Sequence, residues 1–357
     1  MTLRRVQVTD FRCLHRADLD LDPNFTLISG PNASGKTSLL EAVYVLGRGR
    51  SFRTRRLEPL IRSGAERMMV IGEAELPERR VTLGVEGSPE GLHARVGGHR
   101  VASLAELAWV LPVQIIDPEI HRLIEEGPNR RRRFLDWGVF HVEHSFVENW
   151  QRYQQALRQR NASLKGQQAR AAVTAWDSEL LRYGELITDA RRRYVEQLAP
   201  VAASVAARLL DLELALTYRP GWAATTNFPT ALEGSFARDQ DLGATQVGPH
   251  RADLSIRLQG SGVRDRVSRG QQKLLAAVLL LSQIKLFPQH SRAQPTLLLD
   301  DPAAELDSPH LRALLDEVRA QPLQLVVTTL QATEGELSVF GDPGRRFEIN
   351  AGVVRAR

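Results

Sequence analysis

Residues 30–37 of the chain read Gly30-Pro31-Asn32-Ala33-Ser34-Gly35-Lys36-Thr37, which matches the phosphate-binding pattern GxxxxGK[ST] at every fixed position. The preceding residues 25–29 have the composition of a short buried strand, and residues 37–43 begin a helix. In this context the glycines let backbone N–H groups surround phosphate oxygens, and the helix N-terminus adds partial positive charge. We expect Lys36 to reach the β- and γ-phosphates of ATP and the Thr37 hydroxyl to bind Mg²⁺. The predicted ATP-binding residues of this segment are Gly30, Pro31, Asn32, Ala33, Ser34, Gly35, Lys36, Thr37 and Ser38.

The composition favours a soluble, cytoplasmic protein that does not use a membrane. Apolar residues make up 43% and charged residues 25% of the 357 residues, which is ordinary for globular proteins. The longest purely apolar run, 274–281, is too short to span a bilayer, and the first residues lack the apolar core of a signal peptide. The single cysteine, Cys13, cannot form an internal disulfide, as is typical of a reducing compartment.

The basic residues are almost all arginines. The formal net charge is +5, and with lysine only at 36, 165, 273 and 285, arginine accounts for 43 of the 47 basic residues. Guanidinium groups bind phosphates through paired hydrogen bonds, which favours a nucleic-acid partner. A coding preference for arginine explains the same count, so the charge alone is a weak indication.

Hydrophobic periodicity divides the chain into an α/β part and a helical part. Short strands surround the phosphate-binding loop, helices predominate from about Pro118, and mixed α/β patterns return after Gly221. Residues 180–201 carry an apolar stripe at spacings of three and four, with a kink or break expected at Pro200 and a hairpin turn over 161–173. The predicted organisation is a discontinuous α/β part, 1–117 and 221–357, into which a helical hairpin part, 118–220, is inserted.

An apolar strand that ends in two carboxylates is the second motif. Residues 297–299 are leucines, and Asp300 and Asp301 follow them directly. At the C-terminal edge of a parallel sheet, Asp300 would lie beside the phosphate-binding loop and hold Mg²⁺, and Asp301 would orient the attacking water. A solvated acidic turn is the alternative, but the loop at 30–37 favours the catalytic interpretation. We therefore predict Lys36, Asp300 and Asp301 as catalytic residues, with Thr37 and Asp300 as ligands of Mg²⁺.

The third motif, Ser268-Arg269-Gly270-Gln271-Gln272, resembles the signature motif of ABC-type ATPases. A serine and a glycine at a helix N-terminus form an anion site from backbone donors and the helix dipole. In ABC-type ATPases this site binds the γ-phosphate held by a second subunit, so the resemblance implies a head-to-tail homodimer. Ser268, Gly270 and Gln271 are therefore predicted to bind the nucleotide of the partner, with Leu306-Asp307 at the dimer interface. A helix cap with a purely structural role is the alternative.

Several further blocks resemble the RecF family of recombination-mediator ATPases. They span nearly the whole chain in the expected order: Phe11-Arg12, Leu40-Glu41-Ala42-Val43-Tyr44, Gly49-Arg50-Ser51-Phe52-Arg53, residues 127–137, Gln159-Arg160-Asn161, residues 247–254 and Ser268 to Lys273. The resemblance implies an ABC/SMC-type ATPase head, with a parallel-core sheet and an antiparallel β subdomain, and a short helical arm. It also implies slow, DNA-dependent ATP hydrolysis and ATP-driven dimerisation on double-stranded DNA near single-stranded gaps. RecO and RecR are the implied partners in recombinase loading.

Three departures from these patterns bear on the chemistry. Asp301 stands where ABC ATPases typically carry Glu, and Thr328-Thr329 follows the last strand where they carry His. Both changes predict slow hydrolysis. Ala252 replaces the first of two acidic residues that usually follow Gly248-Pro249-His250-Arg251, a segment whose role stays open. Gln114 is either a weak Mg²⁺ ligand or a buried polar group of the core.

Two arginine-rich segments are candidates for binding DNA. Arg48, Arg50, Arg53, Arg55 and Arg56 follow the phosphate-binding helix, and Arg130 to Arg133 open the helical part. Both segments suit contacts to duplex phosphates without reading of sequence. Solvated surfaces or intramolecular ion pairs are the alternatives for each.

Other functions remain open at this level. The main alternative is an SMC-like or ABC-type ATPase subunit that acts on a protein partner rather than DNA. A transport ATPase predicts a catalytic Glu and a His switch, which the sequence lacks, and a P-loop kinase needs no signature motif. A vestigial nucleotide site is disfavoured because Lys36, Thr37 and Asp300 are intact.

Overall fold

The computed structural model describes residues 2–76, 79–263, 267–287, 294–331 and 339–357. They fall into two compact units, one formed by 1–120 with 291–357 and the other by 121–290. Among the described residues, none of the helices combines the length and the apolar character needed to cross a membrane.

The elements are numbered in chain order. The strands are β1 (Thr2–Phe11), β2 (Leu14–Asp20), β3 (Phe25–Ser29), β4 (Met68–Glu75), β5 (Arg80–Ser88), β6 (Gly91–Val96), β7 (His99–Arg100), β8 (Val113–Ile116), β9 (Leu214–Arg219), β10 (Asp253–Leu258), β11 (Ser261–Gly262), β12 (Thr296–Asp300), β13 (Gln324–Thr329), β14 (Arg345–Asn350) and β15 (Val353–Ala356). The α-helices are α1 (Lys36–Arg48), α2 (Ala105–Val110), α3 (Arg122–Glu125), α4 (Pro128–Val142), α5 (Phe146–Lys165), α6 (Arg170–Thr174), α7 (Asp177–Leu210), α8 (Phe228–Gly234), α9 (Phe236–Leu242), α10 (Arg269–Leu286), α11 (Pro302–Glu305) and α12 (Ser308–Arg319).

The first unit contains two six-stranded sheets with α1 packed against both of them. One sheet has the order β15-β14-β3-β13-β12-β8, and all its strands are parallel except β15. The other, β2-β1-β4-β5-β6-β7, is antiparallel throughout. Eleven of the 13 residues of α1 are buried, as expected for a helix covered on both sides. This confirms the predicted parallel-core sheet and antiparallel β subdomain.

The second unit is organised around α7, which packs against α4, α5, α10 and β9. The apolar stripe predicted on this helix is largely buried, with Leu180, Ile187 and Leu198 fully so. Of the kink or break predicted at Pro200, the break is wrong, because α7 runs as one helix of 34 residues that includes this proline and its packing outweighs the lost hydrogen bond. The predicted turn at 161–173 is also too long, since α5 extends to Lys165 and α6 begins at Arg170.

The second unit takes in more of the chain than the predicted arm. Residues 121–220 of that arm lie in it, and so do residues 221–290. The extension has a structural basis, because β10 pairs with β9 and α10 packs on α7. The division into a head, 1–117 and 221–357, and an arm, 118–220, stays a prediction.

Candidate nucleotide site and its companion segments

The loop between β3 and α1 has a backbone shaped to hold an anion. Ala33 and Gly35 have positive φ values of 62° and 112°. Residues alternating with a left-handed conformation direct successive N–H groups into one concavity, the arrangement called a nest. Gly30 has no room for a side chain, since a Cβ there would lie 2.2 Å from the carbonyl oxygen of Ile349. These features suit the predicted phosphate-binding loop.

Two buried polar side chains belong to this loop. Lys36 is only 7% exposed, and its Nζ donates hydrogen bonds to the carbonyl oxygens of Gly30 (2.7 Å) and Pro31 (3.0 Å). The ammonium group is thus held within the loop, where it can turn to phosphate oxygens. The Ser34 hydroxyl is buried and has no hydrogen-bond partner among the described residues. Because an unpaired buried hydroxyl costs free energy, it fits a site that a phosphate oxygen completes.

Thr37 and Asp300 are brought together from positions 263 residues apart. The Thr37 hydroxyl donates to the Asp300 carboxylate, with Oγ1 2.9 Å from Oδ2 and 3.1 Å from Oδ1. The contact arises because β12 and β3 both flank β13 in the parallel sheet, so their C-terminal ends share one edge. One hydroxyl and one carboxylate are the usual protein ligands of Mg²⁺ in nucleotide sites, where phosphate and water oxygens supply the rest. The pair therefore fits Mg²⁺.

Asp301 is held in a strained conformation next to this pair. Its φ is 47°, a value that non-glycine residues rarely adopt. Its backbone N–H donates to the carbonyl (3.2 Å) and the hydroxyl (3.1 Å) of Thr328, and that hydroxyl also lies 2.8 Å from Asp300 Oδ1. Burial raises the pKa of the Asp301 carboxyl and nearby Asp300 adds to the effect, while Lys36 opposes it. Thr328, noted in the sequence only as a missing histidine, thus holds the carboxylate of Asp300 and the backbone of Asp301.

Gln114, the weakest of the predicted Mg²⁺ ligands, lies within β8. It is buried on β8, where it pairs in register with Leu297 of β12. Residues in register share a face of the sheet, and Asp300 has the opposite parity to Leu297 along β12, so Gln114 and Asp300 lie on opposite faces. This geometry favours the alternative of a buried core group.

The predicted signature segment forms an exposed helix N-terminus in the second unit. Ser268 caps α10: its hydroxyl accepts from the Gln271 N–H (3.3 Å), and the Gln271 side chain accepts from the Ser268 N–H (3.0 Å). Ser268, Gly270 and Gln271 are all exposed. A Cβ at Gly270 would meet nothing nearer than the Ser268 hydroxyl, at 4.0 Å. The chain's own packing therefore does not require glycine here.

The arginines after α1 differ in how far they are committed to the protein itself. Arg48 is partly buried with its guanidinium 5.6 Å from the centre of the Tyr44 ring, and burial lowers its pKa to about 10. Arg53 lies 3.5 Å from the buried Glu41. Arg50, Arg55 and Arg56 are exposed, and among the described residues their one ion pair joins Arg56 to the equally exposed Glu58 at 3.7 Å. These three are the best placed for an external phosphate.

The second arginine cluster is largely occupied by contacts within its own unit. Arg130 pairs with Glu126 at 2.5 Å, and Arg131 binds Asp253 through two hydrogen bonds of 2.7 and 3.0 Å. Arg132 donates to the carbonyl oxygen of Ala252 at 2.5 Å. The geometry therefore favours the alternative of intramolecular ion pairs for this cluster.

The segment 248–251 has a structural role in the second unit. The Tyr153 hydroxyl lies 2.6 Å from Nδ1 of His250, whose Nε2 lies 3.0 Å from the carbonyl oxygen of Thr245. Arg191, paired with Asp136, donates to the carbonyl oxygen of Pro249 at 2.7 Å. The segment is thus the junction of a polar network that joins α4, α5 and α7.

A P-loop nest, a Thr37–Asp300 pair at the edge of a parallel sheet, and a signature-type helix N-terminus together define an ABC/SMC-type ATPase head. The family model for the RecF/RecN/SMC N-terminal domain matches residues 2–338. The chain belongs to this family, and within it to the RecF proteins.

Individual relatives agree with this assignment. The DNA replication and repair protein RecF of Pseudomonas putida strain GB-1 is 44% identical over 328 residues, which cover 90% of this chain and 89% of the relative. The same values hold for RecF of Pseudomonas syringae pv. syringae strain B728a. The solved structure of the recombination mediator protein RecF-ATP in the RecFOR pathway aligns with a TM-score of 0.88 at 26% identity, covering 100% of this chain and 97% of the other. An Smc head bound to the C-winged helix domain of ScpA shares the fold, with a TM-score of 0.60 at 18% identity over 100% of this chain and 97% of the other.

Proposed function

We propose that the chain is an ATP-gated clamp on double-stranded DNA that acts as a recombination mediator in DNA repair. The observation that carries the proposal is the contact between the Thr37 hydroxyl and the Asp300 carboxylate, 2.9 Å apart beside a nest-shaped loop. That pair is what a Mg²⁺–ATP site requires, and the relatives described above include a RecF–ATP structure. When bound, Mg²⁺ would neutralise charge on the β- and γ-phosphates.

ATP binding is proposed to drive head-to-tail dimerisation. Each chain carries one phosphate-binding loop and one signature segment, and Ser268 and Gly270 are exposed at the N-terminus of an 18-residue helix. A helix N-terminus favours negative charge, and the open space around Gly270 admits a phosphate from outside. The phosphates of a nucleotide bound to a second copy therefore suit this segment, with Gln271 fixing the Ser268 backbone.

Hydrolysis is proposed to be slow and to release the clamp. Asp301 is the candidate for orienting the attacking water, and Thr328 fixes its backbone. An aspartate is one methylene shorter than glutamate, so its carboxylate lies farther from a water at the γ-phosphate.

The partners of the clamp are proposed from the family and the surface charge. Exposed Arg50, Arg55 and Arg56 suit the phosphates of duplex DNA regardless of sequence. Gapped DNA, RecO and RecR are the expected partners in recombinase loading, since related structures belong to the RecFOR pathway.

Sedimentation of wild type and Ser268→Arg, each with and without ATP and Mg²⁺, tests the proposal. We expect an ATP-dependent dimer in wild type that is lost in the variant, while the variant still binds ATP. Lys36→Ala, which removes the ammonium group from the loop, should lose nucleotide binding itself. A wild type that binds ATP but stays monomeric even with duplex DNA would overturn the clamp. A dimer that forms with ATP but binds no DNA would instead favour a protein partner.

A further inference from the structure

Glu41 is a buried carboxylate with an unusual number of donors around it. It lies on α1, one turn after Thr37, and its side chain is 0% exposed. Arg12 binds it through two hydrogen bonds, Nε to Oε2 at 2.9 Å and Nη2 to Oε1 at 2.7 Å. The Ser51 hydroxyl donates to the same Oε1 at 2.5 Å, and Arg53 Nη1 lies 3.5 Å from Oε2. Each carboxylate oxygen is therefore shared between Arg12 and one residue of the segment after α1.

Arg12 belongs to a turn that lies against the phosphate-binding loop. It links β1 to β2 with a φ of 55°, and its backbone N–H donates to the carbonyl oxygen of Leu60 at 2.8 Å. The next residue, Cys13, has its Sγ 3.6 Å from the Ser38 hydroxyl at the start of α1. A Cβ built on Gly35 would lie 3.2 Å from that Sγ. A change in the phosphate-binding loop on nucleotide binding would therefore act directly on the turn that carries Arg12 and Cys13.

On the other side of Glu41, Ser51 organises the segment 50–56, which carries the exposed arginines. Its hydroxyl accepts hydrogen bonds from the backbone N–H groups of Arg53 (2.9 Å) and Thr54 (3.0 Å) while it donates to Glu41. The Thr54 hydroxyl in turn accepts from the Arg56 N–H at 3.1 Å. The path of the backbone through these arginines is thus fixed by the hydroxyl groups of Ser51 and Thr54, and the Ser51 hydroxyl is hydrogen-bonded to Glu41.

We infer that Glu41 is a positioning residue that couples the nucleotide site to the DNA-binding arginines, by holding Arg12 and the Ser51–Arg56 turn on one carboxylate. The inference rests on the proposed function and adds the route by which ATP changes DNA affinity. A buried carboxylate must stay compensated by its donors, because removal from water is costly for an unpaired charge. If nucleotide in the loop displaces the turn that carries Arg12, Glu41 and its remaining donors, Ser51 and Arg53, must readjust with it.

A purely structural role of Glu41 and a coupling role predict different changes in DNA affinity when Glu41 is replaced. Loss of structure alone would lower DNA affinity equally with and without nucleotide. Loss of coupling would lower the ratio of the two affinities. The ratio is therefore the quantity to measure, with linked sites in proteins typically coupled by about 5- to 150-fold.

The experiment measures the affinity for a labelled DNA duplex with and without Mg²⁺ and a slowly hydrolysed ATP analogue. The proteins are wild type, Glu41→Gln, Ser51→Ala and the control Asp18→Asn, which removes a carboxylate bound twice by Arg5 on the surface of the same unit. Nucleotide affinity without DNA and sedimentation with the analogue are measured in parallel. Ser51→Ala removes one half-buried hydroxyl and leaves the buried Arg12–Glu41 pair intact, so it keeps the test valid if Glu41→Gln does not fold.

We expect wild type and Asp18→Asn to gain about tenfold or more in DNA affinity with the analogue. In Glu41→Gln and Ser51→Ala this gain should fall to about twofold, while Ser51→Ala still dimerises and binds the analogue within about twofold of wild type. An unchanged gain in Ser51→Ala would overturn the coupling and leave the clamp standing. A wild type without any gain would overturn the clamp, and the coupling with it.

Discussion

The two arginine-rich segments look alike in the sequence but lie in opposite electrostatic settings. In the segment 50–56, Arg50, Arg55 and Arg56 extend into solvent, with one weak pair at 3.7 Å. In the segment 130–133, Arg131 is 12% exposed and forms a two-bond pair with Asp253. A guanidinium that already has a carboxylate must give it up before it binds a phosphate. The count of arginines therefore says less about DNA binding than the carboxylates and carbonyls that the fold brings to them.

The largest effect that separates the two arginine-rich segments is expected in the free energy of unfolding of Arg131→Ala. Arg131→Ala removes a largely buried partner of Asp253 and two donors to the carbonyl oxygens of Ile124 and Glu126. Loss of one partner from such a pair leaves a poorly solvated charge, so the free energy of unfolding should fall by about 3 kcal/mol. Urea denaturation followed by circular dichroism measures it.

A matched control for Arg131→Ala is Arg192→Ala, in the same unit. Arg192 pairs with Asp189 at 2.9 Å, but both side chains are more than half exposed. Its removal should change the free energy of unfolding by less than about 1 kcal/mol. Equal losses in both variants would mean that burial of the Arg131 pair does not matter, and the contrast between the segments would fail.

The next effect concerns DNA affinity at the exposed segment. In the triple variant Arg50→Ala, Arg55→Ala, Arg56→Ala, three phosphate contacts are lost. Each lost contact makes the slope of the logarithm of the binding constant against the logarithm of the salt concentration shallower by about 0.9. Together the three losses lower DNA affinity about 100-fold at physiological salt, while the free energy of unfolding stays the same. DNA titrations at several salt concentrations measure both values. The triple variant Arg80→Ala, Arg95→Ala, Arg355→Ala makes the same charge change at exposed sites of the same unit; an equal loss there would reduce the effect to net charge.

A third effect concerns the pH dependence of stability at His250, which Tyr153 and Thr245 contact beside the second cluster's partner Ala252. Burial lowers the pKa of His250 from 6.5 to about 4, with Thr245 opposing and neighbouring arginines adding to the shift. The unfolded chain therefore binds this proton below about pH 6.5 and the folded chain only near pH 4. Stability is fully present above pH 6.5 and falls by about 2 kcal/mol as the pH drops toward 4, allowing for partial exposure of the ring. In His250→Gln the free energy of unfolding should no longer fall in this way between pH 6.5 and pH 4. An unchanged pH dependence in this variant would mean that other groups cause it.

Local motifs carried most of what the sequence could predict. The loop at 30–37 and the carboxylates after residues 297–299 are each encoded within a few consecutive residues, as are the apolar patterns of the strands. Their meeting could be expected because parallel strands end at a common edge. Gln114 shows the limit of this reasoning, since its face is set by register with Leu297 and no local pattern gives that register.

Side-chain pairing over long sequence separations could not be predicted. Arg131 and Asp253 are 122 residues apart, and Arg12 and Glu41 are 29 apart. Thr328 reads in the sequence as a departure from a motif, whereas in the fold its hydroxyl contacts Asp300 and the backbone of Asp301. A buried glutamate within an apolar helix, as at Glu41, is the one signal of this kind that the sequence offers, since such a charge needs partners.

The smallest effect is expected at Arg130. It tests the comparison of the two arginine-rich segments most directly, because the pair of Arg130 and Glu126 is more exposed to solvent than the pair of Arg131 and Asp253. Its guanidinium binds Glu126 four residues earlier, and both side chains are more than one-third exposed. Arg130→Ala should therefore lower the free energy of unfolding by only about 0.3–0.5 kcal/mol. DNA affinity with ATP should stay within twofold of wild type, because a phosphate would have to displace Glu126. The same titrations measure it beside the single variant Arg55→Ala, for which about a fivefold loss is expected. An equal loss in both variants would place the second segment on the DNA as well, and ion pairing would no longer distinguish the two.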